Sequence, residues 1–368
     1  MGISVFVLMQ ISLKSKTRQT LYLLGLQLLL LIHIWGELFI YSGAYVYAPS
    51  LAGAQFPVRM LLGPALYFYA HATMSPVKQL SKRAFFVGLL GPLIVIIGML
   101  PFLLGISAEE KLALANPATR DPDLYRIALY TCIFAMVAFA SYTGAYLYAA
   151  FKLQRNHSLQ LMTRFSDVEK RSMNWFKLLL MFWGLSWMLF ILDFGLGLFG
   201  LRWFGSDVLL PVFEAIVLMV FSLFALRQPI IKDSEKGIST QQEKRQPSLA
   251  PDRMEAVSGK LKSAMQNDLL YLEDDLSLKK LSEHVNVSEN HISETLSQCL
   301  NTNFYHFVNE FRIEHAKSNL LTSTKTVAEI AYASGFNSKS TFNTAFKKIT
   351  NVTPTAFRNE HSLQSKSE

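Results

Sequence analysis

The sequence predicts an all-α protein: a polytopic transmembrane helical bundle of six or seven spans precedes a cytoplasmic domain with two helix-turn-helix units. Residues 1–228 contain several uncharged runs of about 20 residues, the length with which a helix crosses a bilayer. Residues 253–362 contain one helix–turn–helix pattern twice, on either side of a long amphipathic segment. Between them, residues 229–252 are polar, rich in Gln, Ser and Pro, and predict a flexible linker.

The composition argues against an ordinary soluble protein. Charged residues make up 17% of the 368 residues and hydrophobic residues 51%, whereas a soluble chain carries about a quarter charged residues. The deficit lies in the first 230 residues, whose apolar segments are too many and too long to pack inside one small core. The net charge of +8 is no sign of nucleic-acid binding, because residues 253–368 hold 13 Lys or Arg and 13 Asp or Glu.

The apolar runs predict six spans. Met1–Leu13 is short of the required length and makes a seventh span only if it crosses. Its cations follow it rather than precede it, so we expect no cleaved signal peptide. The six spans are Thr20–Tyr41, Phe56–Thr73 (interrupted by Gly63-Pro64), Ala84–Leu104, Leu124–Phe151, Trp175–Phe199 and Val208–Leu226.

The loops between these spans alternate between cation-rich and cation-poor. The positive-inside rule places the cation-rich loops on the cytoplasmic side, and the alternation places the C-terminal domain on that side as well. The position of the N-terminus depends on whether the first segment crosses. The cation-rich loops contain Lys14, Lys16 and Arg18; Lys78, Lys82 and Arg83; Lys152, Arg155, Arg164, Lys170 and Arg171; and Arg227 with Lys232.

Four polar residues inside the predicted spans are candidate sensory groups: His33, Glu37, Asp193 and Glu214. A charged side chain in mid-membrane costs about 2.5–3.5 kcal/mol and often marks a functional site. They predict a polar pocket between the second, sixth and seventh segments; the alternative is mutual hydrogen bonding that holds the bundle together. His33 and Glu37 have the i, i+4 spacing of a metal pair, but hydrogen bonding to neighbouring helices is the favoured interpretation, and we expect no metal site.

Residues 327–348 carry the clearer helix-turn-helix pattern. An apolar stripe that begins at Val327 predicts a short helix. Gly335 predicts a turn with positive φ, and Ser338 is a suitable N-cap for a second helix. The outer face of that second helix presents Lys339, Ser340, Thr341, Thr344 and Lys347.

The same pattern occurs earlier, between Leu278 and Leu300. Residues 304–321 separate the two units and predict a rod roughly 27 Å long, which could hold two outer helices about 34 Å apart, one turn of B-DNA. A duplicated unit on a rigid spacer argues against the alternative of a helical hairpin in an ordinary core. The outer face of the first unit presents Asn290, Ser293, Glu294 and Ser297.

Residues 276–358 resemble the DNA-binding domain of the AraC/XylS family of bacterial transcription regulators. The matching pieces are LSLKKLSEHVNVSENHISETL, NFYHFVNEFRIEHAKSNLL, VAEIAYASGFNSKSTFNTAFKK and the closing TPTAFR. Glu294 departs from the cation or amide common at its position; a carboxylate can accept from cytosine N4 but repels phosphate. The resemblance implies that Asn290, Ser293 and Glu294, and in the second unit Lys339, Ser340, Thr341 and Thr344, face DNA.

These features predict a one-component transcription regulator of the bacterial inner membrane, with its DNA-binding domain in the cytoplasm. The expected partners are promoter DNA and the lipid bilayer; RNA polymerase, a second copy of the chain and an unknown small ligand are further candidates. HExxH, GxSxG, P-loop and CxxC motifs are absent from the sequence, so we expect neither an enzyme nor a cofactor. The rival interpretation is a transporter or membrane enzyme whose helix-turn-helix tail binds proteins.

Overall fold

The structure is a computed structural model, and it describes residues 2–75, 80–116, 118–169, 171–201, 205–228 and 249–364. Within these ranges the chain is all-helical, as predicted, and its only β pairing is an isolated antiparallel bridge between Phe165 and Ser277. The helices form two compact units. The first takes in the described residues of 1–155 and 174–228, and the second those of 156–173 and 249–364.

The first unit contains nine α-helices, of which α7 continues into the second unit. Several begin at a side-chain cap: Thr17 and Thr20 form a capping box at the start of α2, and Ser81 accepts from the Ala84 N–H at the start of α5. The helices are α1 (Gly2–Ser12), α2 (Arg18–Tyr41), α3 (Gln55–Met60), α4 (Leu62–Met74), α5 (Lys82–Gly105), α6 (Ala108–Leu114), α7 (Pro122–Met162), α8 (Asn174–Leu198) and α9 (Ser206–Arg227).

Five helices in the described part of the chain are long and apolar enough to cross a membrane, against the six or seven spans predicted. They are α2, α5, α7, α8 and residues Leu209–Arg227 of α9. The predicted span Phe56–Thr73 is divided between α3 and α4, because Pro64 has no N–H to continue a helical hydrogen-bond ladder through this point. The first segment forms only the 11-residue helix α1. The count of spanning-length helices is therefore corrected to five.

The first unit buries polar side chains and exposes apolar ones. Helix α2 buries Gln19, Gln27 and His33, while Leu21 and Trp35 on the same helix are 62% and 59% exposed. Gln27 accepts a hydrogen bond of 3.0 Å from the Ser222 hydroxyl on α9. The buried face of α2 also includes leucines, so what distinguishes it from a helix in a water-soluble core is the large apolar side chains left on its outer face.

The second unit contains the remaining seven α-helices. Ser277, Ser288, Asn303 and Ser338 each accept a backbone N–H at the start of a helix, and Thr326 forms a capping box with Glu329. The helices are α10 (Pro251–Gln266), α11 (Leu278–Val285), α12 (Glu289–Gln298), α13 (Phe304–Thr322), α14 (Val327–Ala333), α15 (Lys339–Thr350) and α16 (Pro354–Gln364).

Helix α13 is the spacer that the sequence predicted, and it contributes to two separate cores. Its first half packs Phe304, Phe307 and Val308 with α10, α11 and α12. Its second half packs Ile313 and Leu320 with α14 and α15. With 19 residues it is about 28 Å long. Each helix-turn-helix unit therefore has its own apolar core on one common rod.

The predicted linker, residues 229–252, falls largely on residues 229–248, which lie outside the described residues. Helix α10 begins at Pro251, two residues before the predicted domain boundary, and buries Met254, Leu261 and Met265. The second unit also includes residues 156–173, which the sequence analysis assigned to the membrane domain.

Candidate nucleic-acid interface

The second helix-turn-helix unit is held by one tight turn. Gly335 has φ +82°, as predicted, and a Cβ there would lie 2.5 Å from the carbonyl oxygen of Tyr271 and 2.9 Å from the Cα of Leu272. The turn thus needs glycine both for its backbone conformation and for the close approach of another segment. Three residues later Ser338 caps α15 by accepting the Thr341 N–H at 3.1 Å.

Helix α15 has one buried apolar face and one exposed polar face, as a recognition helix requires. Phe342 and Phe346 are fully buried. Of the five residues predicted for the outer face of this helix, Thr341 is buried at 5% exposure and hydrogen-bonded to Ser338. The other four are exposed: Lys339, Ser340, Thr344 and Lys347. The exposed face therefore carries two cations and two hydroxyls.

An open groove extends this face towards α16. It adds Asn343 and Lys348, which were not among the predicted residues, together with Thr353 before α16 and Thr355 in its first turn. Lys348 Nζ lies 3.3 Å from His306 Nε2. The pKa of His306 is lowered mainly because the imidazole is buried, and secondly because of the positive charge of Lys348. The positions of Asn343 and Lys348 on this side of α15 could have been predicted from the sequence. Asn343 follows Lys339, and Lys348 follows Thr344, by four residues, which is helical spacing.

The first helix-turn-helix unit presents a smaller polar face. Asn290 and Ser297 on α12 are exposed, whereas Ser293 and Glu294 are half-buried. The Glu294 carboxylate accepts a hydrogen bond of 3.4 Å from the Leu249 N–H, just before α10. In this structure, then, the residue that departs from the family pattern contacts the protein's own backbone.

Arg312 holds the two helix-turn-helix units together. The residue is 1% exposed. Its guanidinium donates to the carbonyl oxygens of Tyr271 at 2.7 Å and Glu273 at 2.6 Å, and lies 5.4 Å from the centre of the Phe336 ring. Burial lowers the pKa of Arg312 to about 10. The side chain remains a cation at neutral pH, and it ties α13 to the loop before α11 and to the turn before α15.

The first compact unit, which contains helices α1–α9, brings three of the four predicted sensory groups together around Arg59 of α3. These three groups are His33, Glu37 and Glu214. The Arg59 guanidinium lies 3.3 Å from Glu37 and 3.6 Å from Glu214, and His33 Nε2 lies 3.4 Å from Glu214. The Trp187 indole also donates to Glu214 at 3.2 Å. Asp193 lies on α8 and is half-buried. Arg59 was not among the predicted sensory groups, although a cation at the fourth position of an apolar run was a visible signal.

This cluster is an ion-pair network. Its two carboxylates both contact the Arg59 guanidinium, which offsets part of their charge inside an apolar unit. Arg59 also lies 4.6 Å from the centre of the Phe190 ring. Among the described residues, His, Cys, Asp and Glu form no group of three or more that could hold a metal ion.

Residues 281–360 match the family model described as "Helix-turn-helix domain". This match begins within α11 and covers the rest of the two helix-turn-helix units and the spacer between them. The C-terminal segment is a helix-turn-helix domain. Its two units on one long spacer are the arrangement that the AraC/XylS resemblance implied for the residues between Leu276 and Arg358.

Two curated relatives align with the helix-turn-helix domain. An uncharacterized HTH-type transcriptional regulator of Staphylococcus aureus (strain COL) is 42% identical over 91 residues, which are 25% of this chain and 12% of that protein. An uncharacterized HTH-type transcriptional regulator of Pseudoalteromonas carrageenovora is 37% identical over 98 residues, 26% of this chain and 58% of that protein. The chain therefore spans only part of the relatives it matches.

Among solved structures, the C-terminal domain of AraT, a response regulator from Geobacillus stearothermophilus, is 30% identical with a TM-score of 0.25. The alignment covers 31% of this chain and 88% of that one.

Proposed function

We propose that this chain is a membrane-bound transcription regulator that binds promoter DNA through its helix-turn-helix domain. The observation that carries the proposal is the exposed face of α15, where Lys339, Ser340, Thr344 and Lys347 stand over the buried Phe342 and Phe346. Cations and hydroxyls on the outside of a rigidly packed helix suit both the phosphates and the base edges of a major groove.

In the proposed complex α15 enters a major groove and α12 enters the next. The 19 residues of α13 make a rod of about 28 Å, the right order for two helices one turn of B-DNA apart. We expect α15 to bind more strongly than α12. From Lys325 to Arg358 there are five cations and one acid, whereas Glu294 brings a carboxylate to the outer face of α12.

The proposed location is a membrane, with five or more spans and the helix-turn-helix domain in the cytoplasm. The exposed apolar and buried polar side chains of α2 support insertion of the first unit. The orientation rests on the alternating loop charges, in which residues 152–171 form the most cation-rich loop. That residues 156–173 share a compact unit with the helix-turn-helix domain agrees with both lying on one side.

We further propose that the network of Arg59, Glu37, Glu214 and His33 is where a signal acts on the first unit. Such a network costs desolvation energy, and an anchor would not require it. A proton that binds Glu37 or Glu214, or a small anion that binds Arg59, would break these ion pairs and favour a different packing of the helices around them.

Genome-wide footprinting of the full chain in its native cell tests the proposal. A regulator protects a small set of promoter sites, and the pattern changes when Lys339 is replaced by alanine. The rival, a transporter or enzyme whose tail binds proteins, leaves no such protection. Purified full-length chain in lipid nanodiscs should also bind duplex DNA with an affinity that falls steeply as salt rises.

A further inference from the structure

The segment Arg164–Glu169, which follows α7, lies on the helix-turn-helix domain within the second unit. We call it the docking segment. Its backbone pairs with the start of α11 and the residues just before it: the Leu278 N–H donates to the Arg164 carbonyl at 2.8 Å, and the Ser166 N–H donates to the Leu276 carbonyl at 3.3 Å. The Ser166 hydroxyl donates to the same carbonyl at 2.8 Å. The segment is therefore fixed at its start by backbone hydrogen bonds.

The middle of the docking segment is buried against α13. Asn309 donates from its side-chain amide to the Ser166 carbonyl at 3.2 Å, and Val168 packs against Tyr305. Ser166, Val168 and Asn309 are all less than 10% exposed. Burial, and then the carboxylates of Asp167 and Glu169, raise the pKa of Tyr305. The contact thus buries both apolar and polar groups, as an internal interface does.

The end of the docking segment meets the first turn of α15. The Asp167 carboxylate accepts from the Asn337 amide at 2.6 Å. The Glu169 carboxylate accepts from three hydroxyls: Ser338 at 3.0 Å, Ser340 at 2.9 Å, and Thr341. Two of these three residues, Ser340 and Thr341, were predicted from the sequence to face DNA.

A carboxylate in this position has the chemistry of a DNA phosphate. It is an anion at the N-terminal end of a 12-residue helix, where the helix dipole favours negative charge, and hydroxyl groups donate to it. Hydroxyl side chains and helix N-termini are also the groups that contact DNA phosphates. Glu169 and a phosphate would therefore compete for the same donors, and a phosphate approaching α15 would also meet the charges of Asp167 and Glu169.

We propose that the docking segment is an autoinhibitory element that occupies the phosphate-contacting end of α15, so that DNA binding requires its release. This rests on the proposed function, since it assigns α15 to DNA. Residues 163–173 join α7 to α8 along the chain, so a change in the packing of those two helices is transmitted covalently to the docking segment. The signal then controls access to DNA and not the fold of the helix-turn-helix domain.

The test compares Glu169→Gln with wild type, using full-length protein in nanodiscs and a fluorescently labelled duplex of mixed sequence that covers two major grooves. Removing the charge weakens the contact with the three hydroxyls and lowers the repulsion of phosphate. We expect binding to be about tenfold tighter, the scale of one charge-assisted hydrogen bond. Glu310→Gln, on the exposed side of α13, removes the same charge from the same unit and should change the affinity less than about twofold.

A second measurement needs no substitution. The Leu278 amide is protected by the Arg164 carbonyl, so its hydrogen exchange should accelerate when saturating duplex is added, while the amides of α13 remain protected. Equal affinities of wild type and Glu169→Gln, or a Leu278 amide that stays protected in the DNA complex, would overturn the inference while leaving the proposed function intact. If no form of the chain binds duplex, the proposed function itself fails.

Discussion

Arg312 donates a hydrogen bond of 2.7 Å to the carbonyl oxygen of Tyr271, the same oxygen that a Cβ at position 335 would approach to 2.5 Å. A buried guanidinium and a glycine turn thus meet at one backbone carbonyl. The junction fixes how the second helix-turn-helix unit sits on α13. Two features that are far apart in the sequence, a charged residue in the spacer and a glycine in the turn, depend on each other here.

The first prediction concerns this junction. Gly335→Val should lower the free energy of unfolding of the second helix-turn-helix unit by at least about 2 kcal/mol. Valine is strained in a left-handed backbone conformation, and its Cβ would also collide with Tyr271. Thermal unfolding monitored by amide exchange in α14 and α15 measures the effect. Gly259→Ala on α10 is the control, since a Cβ there meets nothing within 4 Å; it should be neutral or slightly stabilising. An unchanged midpoint for Gly335→Val would contradict the assigned turn.

The second prediction concerns DNA readout. Lys339→Ala and Thr344→Ala should each weaken specific binding by about 1–3 kcal/mol if they contact base edges. A phosphate contact would instead reduce the salt dependence with little loss of specificity. Lys262→Ala, which removes an exposed cation from α10, controls for net charge. Should both alanine variants bind the operator like wild type while remaining folded, α15 is not the recognition helix.

The third prediction concerns pH. Burial lowers the pKa of His306 and of His315, and Lys348 lowers that of His306 further. In the unfolded chain both return to about 6.5. As the pH falls below about 6.5, the unfolded chain therefore binds more protons than the folded one. The free energy of unfolding of the second compact unit should decrease until the pH reaches the lowered pKa values of the folded state.

Amide exchange of α13 between pH 7.5 and pH 5 measures this decline. The double variant His306→Gln, His315→Gln should show a shallower slope. An identical slope in wild type and variant would mean that other groups cause the acid sensitivity.

The fourth prediction concerns topology, and it follows from the loop charges. Reporter fusions after Arg171 and after Leu226 should both report a cytoplasmic position, and a fusion near Glu110 should report an external one. A cytoplasmic signal at Glu110 would reverse the orientation of α5 and α7.

The fifth prediction concerns the ion-pair network. Glu37→Gln removes a charge 3.3 Å from Arg59 with little change of shape. If the network senses a signal, this variant should reach the membrane at normal levels yet lock a transcriptional reporter on or off. Asp193→Asn is the companion, since Asp193 was the fourth predicted sensory group. Normal inducible output from both variants would leave the network with a purely structural role.

Much of the fold followed from local patterns. The cap at Ser338 and the turn at Gly335 depend on near neighbours in the sequence, and the structure places both as predicted. The number of spanning-length helices is lower than the predicted number of spans, partly because the run from Phe56 to Thr73 is divided between α3 and α4.

The contacts that the sequence could not give are those between distant segments. Glu169 and Ser340 are 171 residues apart, and no period or motif connects them. Arg59 on α3 forms ion pairs with Glu37 on α2 and with Glu214 on α9. In both cases each residue was visible by itself, and only the fold shows which partner it has.

Along the chain, residues 156–173 come before α8 and α9, the last two helices of the first compact unit. They nevertheless belong to the second compact unit, with the helix-turn-helix domain. The helix-turn-helix domain is therefore not a self-contained cassette. A chimera that transplants residues 249–364 onto another sensor would carry the surface of α15 but leave Asp167 and Glu169 behind. Recombination at the linker would thus separate an output domain from its restraint, and the chimera should be active without a signal.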